Sequence, residues 1–177
     1  GLDNFALVGG VESLSQVPFL ADQASYYSDP EMVKALRYAP PIMGAELIAS
    51  LEGFTKNDLD TLTLESHQKA AKAWQNGFYQ NHVIPIKQSD GQIALDHDEL
   101  IREDMTLETL SGIPPAFAAQ GALGYDAMML EHQPELSKIS YVHSVANCPG
   151  MADGASLILL ATKKTGKEKG LKPLGKI

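Results

Sequence analysis

Two apolar runs at opposite ends of the chain constrain the fold most. Phe5-Ala6-Leu7-Val8 meets Gly9-Gly10, and Gly154-Ala155-Ser156-Leu157-Ile158-Leu159-Leu160-Ala161 follows some 145 residues later. Continuous apolar runs of this length read as strands covered on both faces, and the glycine pair reads as an exit turn. A strand at each end with a polar, helical middle implies a sheet interrupted by an insertion. The end strands then pair with each other. The expected class is α/β, with strands near 5–9, 154–161 and 173–177 and a mostly helical inserted domain.

The middle carries helix signals. Ser28-Asp29-Pro30 caps a helix expected to reach Tyr38, where Pro40-Pro41 stops it. A second is expected from Ala45 to Glu52, ended by Gly53. Thr55 and Asp58 form a capping pattern for the longest helix, to about Asn76, with Leu59, Leu62, Ser66, Ala70, Ala73 and Trp74 recurring at helical spacing. Val83 to Ile86 reads as a short edge segment because of Pro85, and 87–104 as a long polar excursion. Thr106 to Leu110 reads as a helical turn, Tyr125 to Gln133 as a helix, and Lys163 to Lys169 as a last helical segment.

The 177 residues contain 14 Lys+Arg against 22 Asp+Glu, a net charge of −8. Six of those basic residues lie in the last fifteen positions, opposed only by Glu168, so the tail is +5 and the remainder −13. An acidic body argues against general nucleic-acid binding, which rests on Lys and Arg. The lysine tail reads as a solvated face that could also attract phosphate. No apolar run reaches the roughly 18 residues of a membrane span. Gly1-Leu2-Asp3-Asn4 does not resemble a signal peptide. One cysteine, Cys148, excludes an internal disulfide framework and a multi-cysteine zinc site. The expected setting is reducing and cytoplasmic.

Several segments in order resemble one family. Val8-Gly9-Gly10-Val11-Glu12-Ser13-Leu14-Ser15 resembles an AGGxESMS strand and turn. Ser66-His67-Gln68-Lys69-Ala70 resembles an SQxA helix; Asp98-Glu99, Arg102, Thr106-Leu107 and Pro115-Ala116-Phe117 follow a DExxRxxxTL…PAF order. Asn147, Gly150 and Asp153-Gly154-Ala155 resemble a GNxSGxxDGA turn, and Lys172 to Ile177 a KPLARI run. The ordered set is similar to the thiolases, the acyl-CoA acyltransferase family. Asp96 to Glu99 and the long stretch Gly121 to His143 look more like the degradative fatty-acid or steroid branch.

The resemblance implies an internal thiolase segment: residues 1–21 as the end of the first core half, 22–145 as the inserted coenzyme A-binding loop domain, and 146–177 as the return to the core. The start at Gly1 on a strand and the end at Ile177 inside one fit that expectation. A whole thiolase transfers acyl groups between coenzyme A thioesters through a cysteine acyl-enzyme. Its nucleophile and histidine segments do not occur here, so the expected contribution is coenzyme A or acyl-CoA binding, with no catalytic residue, no metal and no cofactor beyond the substrate. By resemblance, Arg102 lies near the nucleotide, Thr109 takes a serine position, Ala116 and Phe117 lie beneath the pantetheine arm, and Met43, Val145 and Met151 line the acyl and pantetheine tunnel. Two departures stand out: Ile42 replaces a histidine and Pro149 replaces a pantetheine-bonding serine. The family implies a homo-oligomer, dimer or tetramer. A non-catalytic thiolase-like acyl-CoA or lipid-binding protein is the alternative.

From the residues alone, Cys148 reads as a small turn residue rather than a nucleophile, and Arg102 could equally pair with Glu99 or Asp98. His97 among Asp96, Asp98 and Glu99 invites a metal reading, but adjacent residues rarely converge on one ion. His67 reads as a half-buried packing residue and His143 as a neighbour of the ligand.

Overall fold

A computed structural model describes residues 5–177; the polar opening at 1–4 lies outside them. The chain divides into two compact units, Gly1–Gln23 with Met151–Ile177, and Ala24–Gly150.

In the first unit, β1 (Phe5–Glu12) pairs antiparallel with the last strand, Gly154–Ala161, in the register Phe5 to Ala161 through Glu12 to Gly154. The two ends therefore meet as expected. Gly9 and Gly10 do not end the strand but sit inside it. A Cβ on Gly9 would come within 2.5 Å of the Ser156 carbonyl oxygen, so the glycine permits a close approach of backbones. The expectation of cover on both faces is not met among the described residues: Leu7 and Val8 on one strand and Leu157 and Ile158 on the other are all exposed. Residues 171–177 form no strand, and Pro173 there has no N–H to offer a ladder. Ser15 closes the unit by donating its N–H (2.9 Å) and hydroxyl (2.5 Å) to the Asp153 carboxylate.

The second unit opens with α1 (Ser25–Ser28) and α2 (Pro30–Leu36). The Asp29 carboxylate accepts from the N–H groups of Glu31 and Met32, and Arg37, left-handed at φ 51°, ends α2 before Tyr38. Pro40-Pro41 starts the next helix as well as stopping the last. Pro41 is the first residue of α3 (Pro41–Glu52), where its missing N–H costs nothing, and Gly53 closes α3 at φ 71°. Next, α4 (Lys56–Gln75) has the full capping box at Thr55 and Asp58.

The long polar excursion contains a small hairpin, β2 (Ile86–Lys87) with β3 (Ile93–Leu95), turning near Gly91 at φ 86°. Thr106 caps α5 (Leu107–Ser111). The helix expected from Tyr125 is α7 (Asp126–Glu131); α6 (Ala118–Gln120) precedes it, and the turn Gly121–Tyr125 between them is kinked at Gly124, φ 112°. A 3-10 turn at Val145–Asn147 ends the unit. In the first unit the strand Gly154–Ala161 is β4, followed by α8 (Lys163–Glu168). The core of the second unit is Met43, Met129 and Ile139, walled by Ile42, Leu47, Tyr125, Leu130 and Tyr141.

Helix α4 departs from its apolar pattern. Leu62 is 63% exposed, whereas Asp60 is only 1% exposed. The inward face is polar over the first three turns, where hydrogen bonds hold it, and apolar further on, where Ala71 is buried and Ala70, Ala73 and Trp74 are half-buried.

Candidate functional site

Lys56, Asp60, Thr63 and His67 recur at spacings of four, three and four, so they line one face of α4. Together they hold three other segments of the chain. The Lys56 ammonium donates to Asp60 (2.6 Å) and to the Leu110 carbonyl at the end of α5 (2.8 Å). The Asn147 amide donates to Asp60 and to the Thr63 hydroxyl, both at 3.0 Å. His67 Nδ1 accepts from the Arg102 N–H at 3.1 Å, which puts any ring proton of the neutral imidazole on Nε2. A stripe about 16 Å long thus ties the Arg102 loop, α5 and the 145–147 turn to one helix.

A second anchor lies on α3. Glu46 is fully buried, and its carboxylate accepts from the N–H groups of Val142 (3.0 Å) and His143 (3.1 Å). One turn on, the Ser50 hydroxyl accepts from the Ser140 N–H at 2.8 Å. The far side of this segment is held too. The His143 carbonyl accepts from the Ala116 N–H at 3.0 Å, and the Tyr141 hydroxyl donates to Asp126 at 2.5 Å. Burial, then the Asp126 carboxylate, raises the Tyr141 pKa well above the ordinary phenol value. Gly121 leaves room for that bond, because a Cβ there would overlap the Tyr141 hydroxyl. Buried Ser144 gives its N–H and hydroxyl to Asn147 Oδ1, each at 2.8 Å.

These anchors connect some of the expected ligand residues. Arg102 is exposed on a backbone pinned by His67, and among the described residues no ion pair engages it, from Glu99, Asp98 or elsewhere. Thr109 is exposed on α5 with its hydroxyl 2.9 Å from that of Thr106. Ala116 is exposed and joined to His143; Val145 is exposed two residues further on; Phe117 is half-buried at the start of α6. Met43 is fully buried in the core against Met129 and Ile139. Met151 is exposed and belongs to the other unit. The sequence reading did not single out Glu46, Lys56, Asp60 or Thr63. Glu46 had a signal: it is the only charged side chain between Pro41 and Leu51, with Ala45 and Leu47 on either side.

Cys148 lacks the setting of a nucleophile. Its thiol donates to the Ser144 carbonyl at 3.6 Å. Burial and then the Glu46 carboxylate push its pKa up, whereas a reactive cysteine needs it lowered. His97 is exposed and bonded to Asp96 at 2.8 Å, a contact that raises its pKa. Among the described residues no three His, Cys, Asp or Glu side chains converge on one point, and no helix is long and apolar enough to cross a membrane.

Residues 1–124 match the family profile described as the thiolase N-terminal domain. The whole chain aligns at 30% identity with a 3-ketoacyl-CoA thiolase of Photorhabdus laumondii and covers 41% of it. It is 27% identical to an Escherichia coli thiolase for 3-oxoadipyl-CoA and 3-oxo-5,6-dehydrosuberyl-CoA, covering 44% of that protein. Among solved structures, the dimeric peroxisomal thiolase of Saccharomyces cerevisiae superposes with a TM-score of 0.68 at 27% identity, over 98% of this chain and 40% of that one. The chain thus spans about two fifths of the length of these relatives.

Proposed function

Because the chain belongs to the thiolase family and corresponds to a segment of one, we propose that its role is to bind coenzyme A thioesters for acyl transfer by a whole thiolase. The reaction is thiolytic cleavage of a 3-ketoacyl-CoA or the reverse condensation. The observation that carries this reading is Arg102: an exposed guanidinium on a fixed backbone, with no carboxylate neutralising it among the described residues. A planar guanidinium can grip phosphate through paired N–H donors or stack on adenine. Thr109, Ala116 and Phe117 follow it in sequence toward the His143 segment and Val145. Met43, buried in the core of the same unit, is assigned to the acyl and pantetheine tunnel by resemblance. Residues 22–145 are assigned as the coenzyme-binding inserted domain between the two core pieces, 1–21 and 146–177. Attraction to the coenzyme's phosphates comes from local residues such as Arg102 and not from the net charge, which is −8.

The chemistry of acyl transfer requires a thiolate and an acid-base partner, and Cys148 does not fit the first role. Bond making therefore falls to residues beyond these 177. A homo-oligomer is assigned by analogy with the yeast neighbour, described as dimeric. The test is calorimetric titration of coenzyme A into the whole protein and its Arg102→Ala variant. Loss of one charge-assisted contact raises the dissociation constant roughly ten- to a hundredfold. Equal affinities remove Arg102 from the site, and no binding by the parent protein refutes the coenzyme reading.

A further inference from the structure

The segment 139–147 is held along its whole length by side chains of other elements. Ile139 is buried in the core. The amides of residues 140, 142 and 143 are taken by Ser50 and Glu46. The His143 carbonyl holds Ala116, and Asn147 ties the end to α4. Of these ties only Glu46 provides two backbone bonds from one buried charge, and a third donor stands close by. His143 Nδ1 lies 2.9 Å from Glu46 Oε2, though the ring is not aligned for a hydrogen bond.

We infer that Glu46 is the positioning residue of the coenzyme surface: its carboxylate fixes the path of residues 142–143, and through the His143 carbonyl and the following turn it places Ala116 and Val145. Nothing in the chemistry of a ligand calls for a carboxylate at this depth, and Glu46 is fully buried. A charge out of water is retained only where hydrogen bonds compensate it. Here the compensation comes from two backbone amides of the segment that carries the ligand residues. Glutamine cannot reproduce it, because its amide would turn a donor toward one of those N–H groups.

The inference rests on the coenzyme reading above, and its test separates the two. In the whole protein, Glu46→Gln is expected to raise the coenzyme A dissociation constant about tenfold and to speed amide exchange at Val142, His143 and Ala116, leaving α4 protected. Asp29→Ala removes the cap of α2 in the same unit, away from this segment, and serves as the structural control, expected to lower Tm while leaving coenzyme affinity unchanged. Ser50→Ala, which removes one neutral bond, is expected to move exchange and affinity in the same direction as Glu46→Gln but by less; it carries the test if the buried-charge variant does not fold. Parental affinity in both the Glu46→Gln and Ser50→Ala variants overturns the inference, as does an equal affinity loss in Asp29→Ala. Should the parent fail to bind coenzyme A, that reading falls, and exchange at Ala116 alone decides Glu46: protection unchanged by Glu46→Gln overturns it.

Discussion

Removing Asn147 is the sharpest test of how the loops are held. Its amide nitrogen donates to Asp60 and Thr63, and its carbonyl oxygen accepts both polar hydrogens of Ser144. Asp60 and Ser144 are buried, so Asn147→Ala exposes neither to water directly. The carboxylate loses one charge-assisted bond, worth about 1.5–3 kcal/mol, and keeps only the Lys56 ammonium. The Ser144 N–H and hydroxyl lose their acceptor together, which costs about another 1–3 kcal/mol. Water entering the vacated space recovers part of this, leaving a loss of about 4 kcal/mol. For a chain of this size each kcal/mol moves Tm by about 2–4 °C, so Tm falls by about 12 °C. Asn147→Asp, equal in size, is expected to cost at least as much, since it sets a second carboxylate against Asp60. Thermal unfolding followed by circular dichroism and scanning calorimetry gives the number. A loss below about 1 kcal/mol for Asn147→Ala, the value of an ordinary neutral hydrogen bond, would refute the claim that this side chain joins the turn to α4.

Two further outcomes follow from the titrating groups. Cys148, with its pKa raised by burial and by Glu46, is expected to react slowly with a disulfide reagent at neutral pH and quickly after denaturation; Cys148→Ser is expected to leave the proposed acyl transfer intact. Rapid labelling of the folded protein contradicts the pKa direction, and loss of that transfer in Cys148→Ser contradicts the structural role. Asp153 has its pKa lowered by the Ser15 hydroxyl, then by the Ser15 N–H. A depressed folded-state pKa gives a stability contribution that is present above the ordinary Asp value and lost as pH falls through the folded value. Ser15→Ala is expected to move the Asp153 titration, followed by carboxylate NMR, toward the ordinary value; an unchanged midpoint removes the hydroxyl as the main cause.

The comparison of α4 with its sequence shows where pattern reading works and where it stops. The ends of the helix were legible because caps are local: Thr55 and Asp58 carry their partners within four residues. The same holds for Asp29-Pro30, and the pairing of the two ends was legible because each apolar run had no nearer partner of its kind. The inward face of α4 was legible only in its second half, where Ala71 is buried and Ala70, Ala73 and Trp74 are half-buried. Periodicity assigns the apolar stripe to the inside, which assumes that burial is driven by removing carbon from water. Over the first three turns the inside is instead the stripe of Lys56, Asp60, Thr63 and His67, whose loop partners lie between 35 and 87 residues away in the chain. No local window contains those partners, so such a stripe looks like a solvated face.

The same reasoning separates the two carboxylates at the centre of the second unit. Asp60 sits four residues from a lysine that pairs with it, so its sequence context resembles an ordinary surface pair. Glu46 has no basic residue within four positions on its helix, and the flanking residues are apolar. A lone acid in that setting must either leave the helix's inner face or be met there by donors from elsewhere. Glu46 shares the buried face with Met43 and Ala49, three residues to either side, while Ile48 and Leu51 take the exposed one. With that face buried, the carboxylate needs donors from elsewhere in the chain, and the amides of Val142 and His143 are those donors. What the sequence of α3 could not reveal is which segment supplies them, and that choice brings Ala116 and Val145 to the same edge of the unit.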